Sequence, residues 1–266
     1  MIKEIVKEIN LAIDSAFLRM SKEDYLSFIL LIGRADIIPD FKHISDTECV
    51  IDYQLDRHRD ETREEFYLRY LNRNYHKEGF CYDGEDGIDA LSIEMMIYTH
   101  LWESTYFLKS LVRIASILSG KGYVWNPDLE CAKWTYMHQK IIEPLKDNGN
   151  ALGLIVERGY SSDIRNAFAH SLYNINIESR TITIRPKTGI KTFSFEEFQK
   201  KFLYSVILMN KMQNALEANH DRACEMNGCL TKPFKTPDGV TVQIITEIIK
   251  RGDSTLHAFK MIRIDN

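Results

Sequence analysis

The sequence lacks a large charge excess, long apolar runs and clustered cysteines. Its 266 residues carry a formal net charge of −4, which argues against an obligate, strongly basic nucleic-acid coat protein. No apolar run approaches the roughly 18 residues of a membrane helix, and the charged amino terminus lacks a signal-peptide core. The five cysteines are scattered without zinc-finger spacing, as expected of reduced thiols. We therefore expect a soluble, cytoplasmic protein that makes no membrane contact.

Sequence motifs for phosphates, cofactors and metals are also missing. There is no P-loop, GxGxxG, GxSxG or HExxH pattern. The acidic segment 83–89 fails the EF-hand order, because residues such as Cys81 or Gly84 fall where the loop needs oxygen ligands. No convergent carboxylate cluster is visible. We therefore expect neither a metal nor a cofactor, and the acidic segment is better interpreted as the start of a helix.

Helical periodicity dominates what is present. A hydrophobic content of 44% over this length is enough for a sizeable core. Apolar residues at helical spacing predict a mainly α protein, and Ser194 with Glu197 makes a capping box for its last helix. The predicted helices span residues 2–20, 22–34, 47–77, 89–118, 128–145, 151–158, 162–172 and 195–219.

Short β segments interrupt this helical pattern in two places. Alternating residues over 174–185 predict two short strands, and 191–195 can add a third. A terminal hairpin is predicted from residues 240–249 and 256–264. These elements divide the chain into an N-terminal helical region (1–85), a helical bundle (86–222) with a β insertion at 174–194, and a C-terminal extension (223–266) of loop plus hairpin.

The stretch 161–172, SSDIRNAFAHSL, follows a glycine and opens with capping residues. Gly159 can end the preceding helix in the left-handed conformation, and Ser161 can accept a hydrogen bond from a free helix N–H group. At about 100° per residue, Ile164, Phe168 and Leu172 share the face to be buried.

The polar residues of this short helix point elsewhere. Asn166 and His170 are four residues apart and lie together on the outer side. Arg165 lies about 140° around the helix from His170, so the two side chains diverge within one subunit. The small Ala169 allows another surface to approach. We hypothesise that a site using both Arg165 and His170 is built where two copies of the helix meet.

The string Arg165-Asn166-Ala-Phe-Ala-His170 resembles the R-x(4–6)-H signature of HEPN domains, including the polar residue that often follows the arginine. The bare spacing also occurs from Arg69 to His76 and from Arg251 to His257, but only the middle copy lies in a short capped helix. The resemblance implies a HEPN-like helical bundle over residues 86–222. Many HEPN proteins are metal-independent ribonucleases with a composite site at a two-fold interface, and many act as toxins or antiviral defence effectors.

By this resemblance, His170 is expected to act as acid and base, Arg165 as the phosphate clamp and Asn166 as support. The implied partners are RNA, a second copy of the chain, and an antitoxin or other regulatory protein. Some HEPN toxins carry H-x-Y with a modified tyrosine; here Tyr173 follows at H-x-x-Y, so that regulation is not carried over. The alternative is a catalytically silent HEPN-like module that binds a nucleotide or a partner.

Residues around the motif extend this hypothesis to the substrate. Between Arg158 and Lys191 there are six basic residues and two acidic ones, a local charge of +4. This positive segment could bind the substrate, or it could be an ordinary solvated face of a hairpin. Glu103 and His100, on the predicted helix 89–118, are possible supports for the site. The candidate substrate-binding residues are Arg158, Arg180, Arg185, Lys187 and Tyr173.

Overall fold

A computed structural model describes residues 1–43, 46–51, 57–74, 84–130, 133–186, 189–226, 228–251 and 254–264. The chain is mainly helical with small β-hairpins, which confirms the predicted fold class at this level. Buried apolar side chains from Ile5 to Phe259 form one hydrophobic cluster, so the three predicted regions share a core.

The helices include one long element, the last helix, against which several of the others pack. They are α1 (Ile2–Glu23), α2 (Tyr25–Ile32), α3 (Arg57–Asn74), α4 (Gly84–Leu101), α5 (Thr105–Leu118), α6 (Trp134–Met137), α7 (Glu143–Asp147), α8 (Leu152–Gly159), α9 (Ser162–Ala169) and α10 (Phe195–Glu225). A π-helical turn, His138–Ile142, joins α6 to α7. Helix α10 packs against α1, α2, α4 and α8, and the predicted capping box opens it: Ser194 Oγ accepts from Glu197 N–H at 3.1 Å.

The strands form three small antiparallel sheets. They are β1 (Ala35–Ile37) with β2 (Cys49–Ile51), then β3 (Tyr173–Asn176), β4 (Thr181–Ile184) and β5 (Lys191–Ser194), and finally β6 (Phe234–Lys235), β7 (Thr241–Arg251) and β8 (Ser254–Arg263). In the second sheet Ile182 pairs with Ile175 and Phe193. The β insertion and the C-terminal hairpin are therefore confirmed.

Three predicted helices have different bounds in the structure. The predicted helix 89–118 is broken, because Ser104 accepts from the Phe107 N–H group at 3.3 Å and caps a new helix, α5. The predicted helix 22–34 starts later, since Asp24 caps α2 and its side chain accepts from the Ser27 N–H group. The predicted start of helix 47–77 is also wrong, because Cys49–Ile51 pairs with Ala35–Ile37 as a hairpin.

Smaller differences affect the helices on either side of the motif. The predicted helix 128–145 begins only at Trp134, and Pro144 stands at the start of α7 rather than near a helix end. Proline fits there because the first turn of a helix has no use for its missing N–H group. Helix α10 continues past residue 219 to Glu225. Among the described helices, none is both long enough and apolar enough to cross a bilayer.

Candidate functional site

Helix α9 has well-defined caps at both ends. Ser161 is the N-cap, and its Oγ accepts from the Ile164 N–H group at 3.4 Å, as the sequence predicted. At the other end, Ser171 N–H donates to the Phe168 carbonyl at 3.1 Å and Leu172 N–H donates to the Ala167 carbonyl at 2.7 Å. This pair of bonds is the Schellman arrangement, and Ser171 occupies its left-handed position with φ +56°.

The early end of α9 corrects one prediction. The helix stops at Ala169 instead of continuing to Leu172, because the left-handed Ser171 turns the chain into β3. Leu172 is therefore 47% exposed instead of buried. Ile164 and Ala167 are buried and Phe168 is half-buried, so the rest of the predicted inner face is correct.

Gly159 has a different role from the predicted one. It does not adopt a positive φ; instead, a Cβ atom at this position would lie 3.0 Å from Ser205 Oγ on α10. The small residue lets α8 and α10 approach closely. The Gly159 carbonyl accepts from Tyr98 Oη at 2.8 Å, and Trp102 Nε1 donates to Ser205 Oγ at 3.0 Å. These buried bonds connect α4, α8 and α10 directly behind the motif helix.

The Arg165 side chain turns inward from α9. Only 12% of it is exposed, and Nη1 donates to Glu103 Oε1 at 3.2 Å, just past the end of α4. Its Nε atom is buried and makes no hydrogen bond to any described residue. Arg165 also lies within electrostatic range of Tyr160: burial raises the pKa of Tyr160 to about 12, and the nearby guanidinium opposes that rise. The structure thus brings Arg165 together with Glu103, one of the two predicted supports.

His170 and Asn166 lie on the outside, as predicted. Both residues are exposed, and the backbone N–H of His170 donates to the Asn166 carbonyl at 3.0 Å. Within the described residues the imidazole of His170 has neither a hydrogen bond nor an ion pair. His100 is also exposed, near the end of α4. One subunit therefore offers an open imidazole and, on a different side, a guanidinium held by a carboxylate.

Three of the six basic residues counted in this segment form ion pairs in the described part of the chain. Arg158 pairs with Glu8, Arg165 with Glu103 and Lys191 with Asp163. The count along the sequence was misleading because Glu8 and Glu103 come from outside the counted segment.

Two of the other candidate substrate residues contact aromatic rings. The Arg180 guanidinium lies 5.7 Å from the centre of the Phe195 ring, and Tyr173 stacks on Phe168 with ring centres 5.4 Å apart. Arg185 is exposed, and Lys187 lies outside the described residues. The structure therefore places Tyr173 as a packing residue beside the motif helix.

Two residues at the site have little sequence signal. Ser171 adopts a conformation for which glycine is the usual residue, so serine gives no indication of it. Tyr160 packs edge-on against Trp102, with ring centres 5.1 Å apart, and reaches Arg165 only through the tertiary fold.

Comparison with protein-family models, curated proteins and solved structures gives no match for this chain. Among the described residues there is also no group of three or more histidine, cysteine or acidic side chains placed to hold a metal ion. The chemistry of the site must therefore be inferred from its own residues.

Proposed function

We propose that this protein is a metal-independent endoribonuclease of the HEPN type that acts in the cytoplasm as a toxin or antiviral defence effector. The observation that carries the proposal is the open imidazole of His170 at the capped end of α9, with exposed Asn166 one turn before it. His170 and Asn166 thus have the exposure that substrate-contacting residues need.

RNA supplies the nucleophile for this reaction, its own 2′-hydroxyl group. A protein needs to add a proton carrier and a positive group for the phosphate. Histidine titrates near neutral pH and suits the first role, while the planar guanidinium of arginine grips two phosphate oxygens. In this proposal His170 moves the proton and Arg165 binds the phosphate. Asn166 supports them by orienting His170 or by contacting the ribose. The products are a 2′,3′-cyclic phosphate and a 5′-hydroxyl end.

The divergence of the two side chains supports a composite site in a homodimer. Arg165 faces Glu103 beside α4, whereas His170 faces solvent, so the two side chains have different surroundings within a subunit. Ala169 is exposed and small, which permits close approach of a second copy. Helix α4 leads to Glu103 along an exposed stripe containing Ile93 and Met96, 36% and 37% exposed. Such apolar side chains are suitable for contact between subunits.

One observation favours the second candidate, a silent HEPN-like module that binds a nucleotide or a protein partner. Glu103 already occupies the Arg165 guanidinium, so the proposed clamp is neutralised in the isolated chain. A catalytic role requires phosphate to compete with that carboxylate. An antitoxin or other regulatory partner is compatible with either candidate.

The two candidates are separated by incubating purified protein with RNA in the presence of EDTA. We expect cleavage that falls by about 10² to 10⁴ in His170→Ala, the range typical of a lost general acid or base. His138→Ala, at a histidine stacked on the exposed Trp134, is the matched control and should cleave normally. Absence of cleavage by the wild type, or equal cleavage by His170→Ala, would favour the silent module.

Mixing two inactive variants tests the composite site. If arginine and histidine come from different subunits, a heterodimer of Arg165→Ala with His170→Ala retains one intact site of two. Random exchange of subunits should then restore about a quarter of wild-type activity. A mixture that stays inactive, although subunit exchange is demonstrated, would show that each site uses both residues of one subunit.

A further inference from the structure

A cavity of about 560 Å³ is lined by residues other than those of the Arg165–His170 motif. Its walls come from the first turns of α1, the end of α8, strand β5 and the first half of α10. This volume falls within the range of small-molecule sites in proteins, roughly 300–1,000 Å³. The side chains that matter for its chemistry are Ile5, Glu8, Phe193, Lys200, Lys201 and Tyr204.

The carboxylates around this cavity already have partners. Glu4 pairs with the ammonium group of Met1 at 3.0 Å, and Glu8 accepts from Tyr204 Oη at 2.8 Å and pairs with Arg158. Glu197 Oε2 accepts from the backbone N–H of Ser194 at 2.7 Å in the capping box. Glu4 and Glu8 are therefore balanced by cations within the protein, whereas Glu197 is held by a backbone N–H group.

The two lysines of α10 are in the opposite situation. Among the described residues, neither Lys200 nor Lys201 has a carboxylate within ion-pair distance. Lys201 Nζ donates to the Arg158 carbonyl at 3.2 Å, which uses one of its three N–H groups. Burial lowers the pKa of Lys201, while the more distant Glu197 and Glu157 oppose that shift. A half-buried ammonium with spare donors is a ready anion receptor, because burying a charge without partners is costly.

The remaining wall is apolar and partly aromatic. Ile5 is buried, and Phe193 and Tyr204 are half-buried where they border the cavity. Tyr204 is held in place by Glu8 and by Arg158, whose guanidinium carbon lies 5.8 Å from the ring centre. A fixed aromatic ring beside an apolar wall favours a flat ligand over a bare ion.

We propose that this cavity binds a small anion with an aromatic body, its phosphate or carboxylate on Lys201 and Lys200 and its ring against Phe193 and Tyr204. Nucleoside monophosphates and aromatic carboxylates share this chemistry. The proposal does not depend on ribonuclease activity, since none of these side chains belongs to the Arg165–His170 motif.

Isothermal titration calorimetry on the full chain tests the proposal with named probes. AMP, GMP, CMP, UMP and indole-3-acetate combine an anion with a ring, whereas adenosine lacks the anion and inorganic phosphate lacks the ring. We expect at least one of the first five to bind with a Kd below about 1 mM. If only the nucleotides bind, the cavity accepts nucleoside monophosphates. If only indole-3-acetate binds, it accepts aromatic carboxylates.

Variants connect such binding to the cavity. Loss of a charge-assisted hydrogen bond in Lys201→Met should raise the Kd about 10-fold or more, and Lys201→Arg should recover part of the affinity. Lys7→Met removes the same charge from the exposed side of α1 and should leave the Kd unchanged. Phe193→Leu, which keeps an apolar wall but loses the ring, provides a second variant if Lys201→Met does not fold.

Three results would overturn the proposal. The first is that no probe binds below about 1 mM. The second is that adenosine or inorganic phosphate binds as tightly as the ring-bearing anions. The third is that Lys201→Met, or Phe193→Leu in its place, binds with wild-type affinity.

Discussion

Replacement of Ser171 by glycine should stabilise the protein, although it removes a side chain. Ser171 has φ +56°, and its N–H group and that of Leu172 satisfy the carbonyls of Phe168 and Ala167 at the end of α9. The left-handed conformation costs a residue with a Cβ atom about 1–2 kcal/mol, a cost that glycine does not have. Glycine in turn loses about 0.5–1 kcal/mol more backbone entropy on folding.

The difference between these two terms gives the expected magnitude. Ser171→Gly should raise the free energy of unfolding by about 0.5–1 kcal/mol. Ser171→Val should lower it by about 1 kcal/mol or more, because a β-branched side chain crowds the left-handed backbone. The Ser171 side chain is exposed, so lost packing contributes little to either change.

Urea denaturation followed by far-ultraviolet circular dichroism measures both variants. Stability changes should appear as shifts of the midpoint in opposite directions, with the slope of the transition unchanged. Equal midpoints for the glycine and valine variants, or a lower midpoint for Ser171→Gly, would show that the position is not strained. The reasoning about how α9 ends would then be wrong.

Two further predictions concern the packing around the site and pH. Gly159→Ala should lower the free energy of unfolding by about 1–2 kcal/mol, because its Cβ would meet Ser205 of α10; an unchanged melting temperature would contradict this. Burial lowers the pKa of His220 below its ordinary value of 6.5, so the unfolded chain takes up the proton first as pH falls. The wild type should therefore lose more stability than His220→Phe between about pH 7.5 and about pH 5.5, and equal losses in urea denaturation would contradict the assignment.

Local signals in the sequence were sufficient to predict most of the helices and the capping residues at some of their ends. The capping box of Ser194 with Glu197 and the N-cap at Ser161 depend on residues within one turn, and both are present in the structure. The sequence did not predict the break before α5, because the apolar pattern continues through it. Only the N-cap at Ser104 shows that a new helix begins there. The β1–β2 hairpin was missed because its strands have three residues each.

The part of the site that depends on local sequence was also predictable. Helical spacing alone places Asn166 and His170 on the outer side of α9, and both are exposed. The partners of Arg158 and Arg165 are distant in sequence, at Glu8 and Glu103, so no count along the chain could show that these charges are neutralised. Charge balance at a surface is a property of the tertiary structure, whereas the face of a helix is set by its own residues.

The ion pair between Arg165 and Glu103 determines what a functional site here must accomplish. The Arg165 side chain is 12% exposed and that of Glu103 41% exposed, so in the proposed reaction a substrate phosphate would meet a guanidinium that Glu103 already contacts. Phosphate binding then exchanges one anion for another on the same guanidinium, at the cost of leaving Glu103 beside a second negative charge. Either Glu103 moves toward solvent or a cation from a second subunit comes between them. Glu103→Gln removes this competition, so cleavage limited by phosphate binding should become faster in that variant than in the wild type.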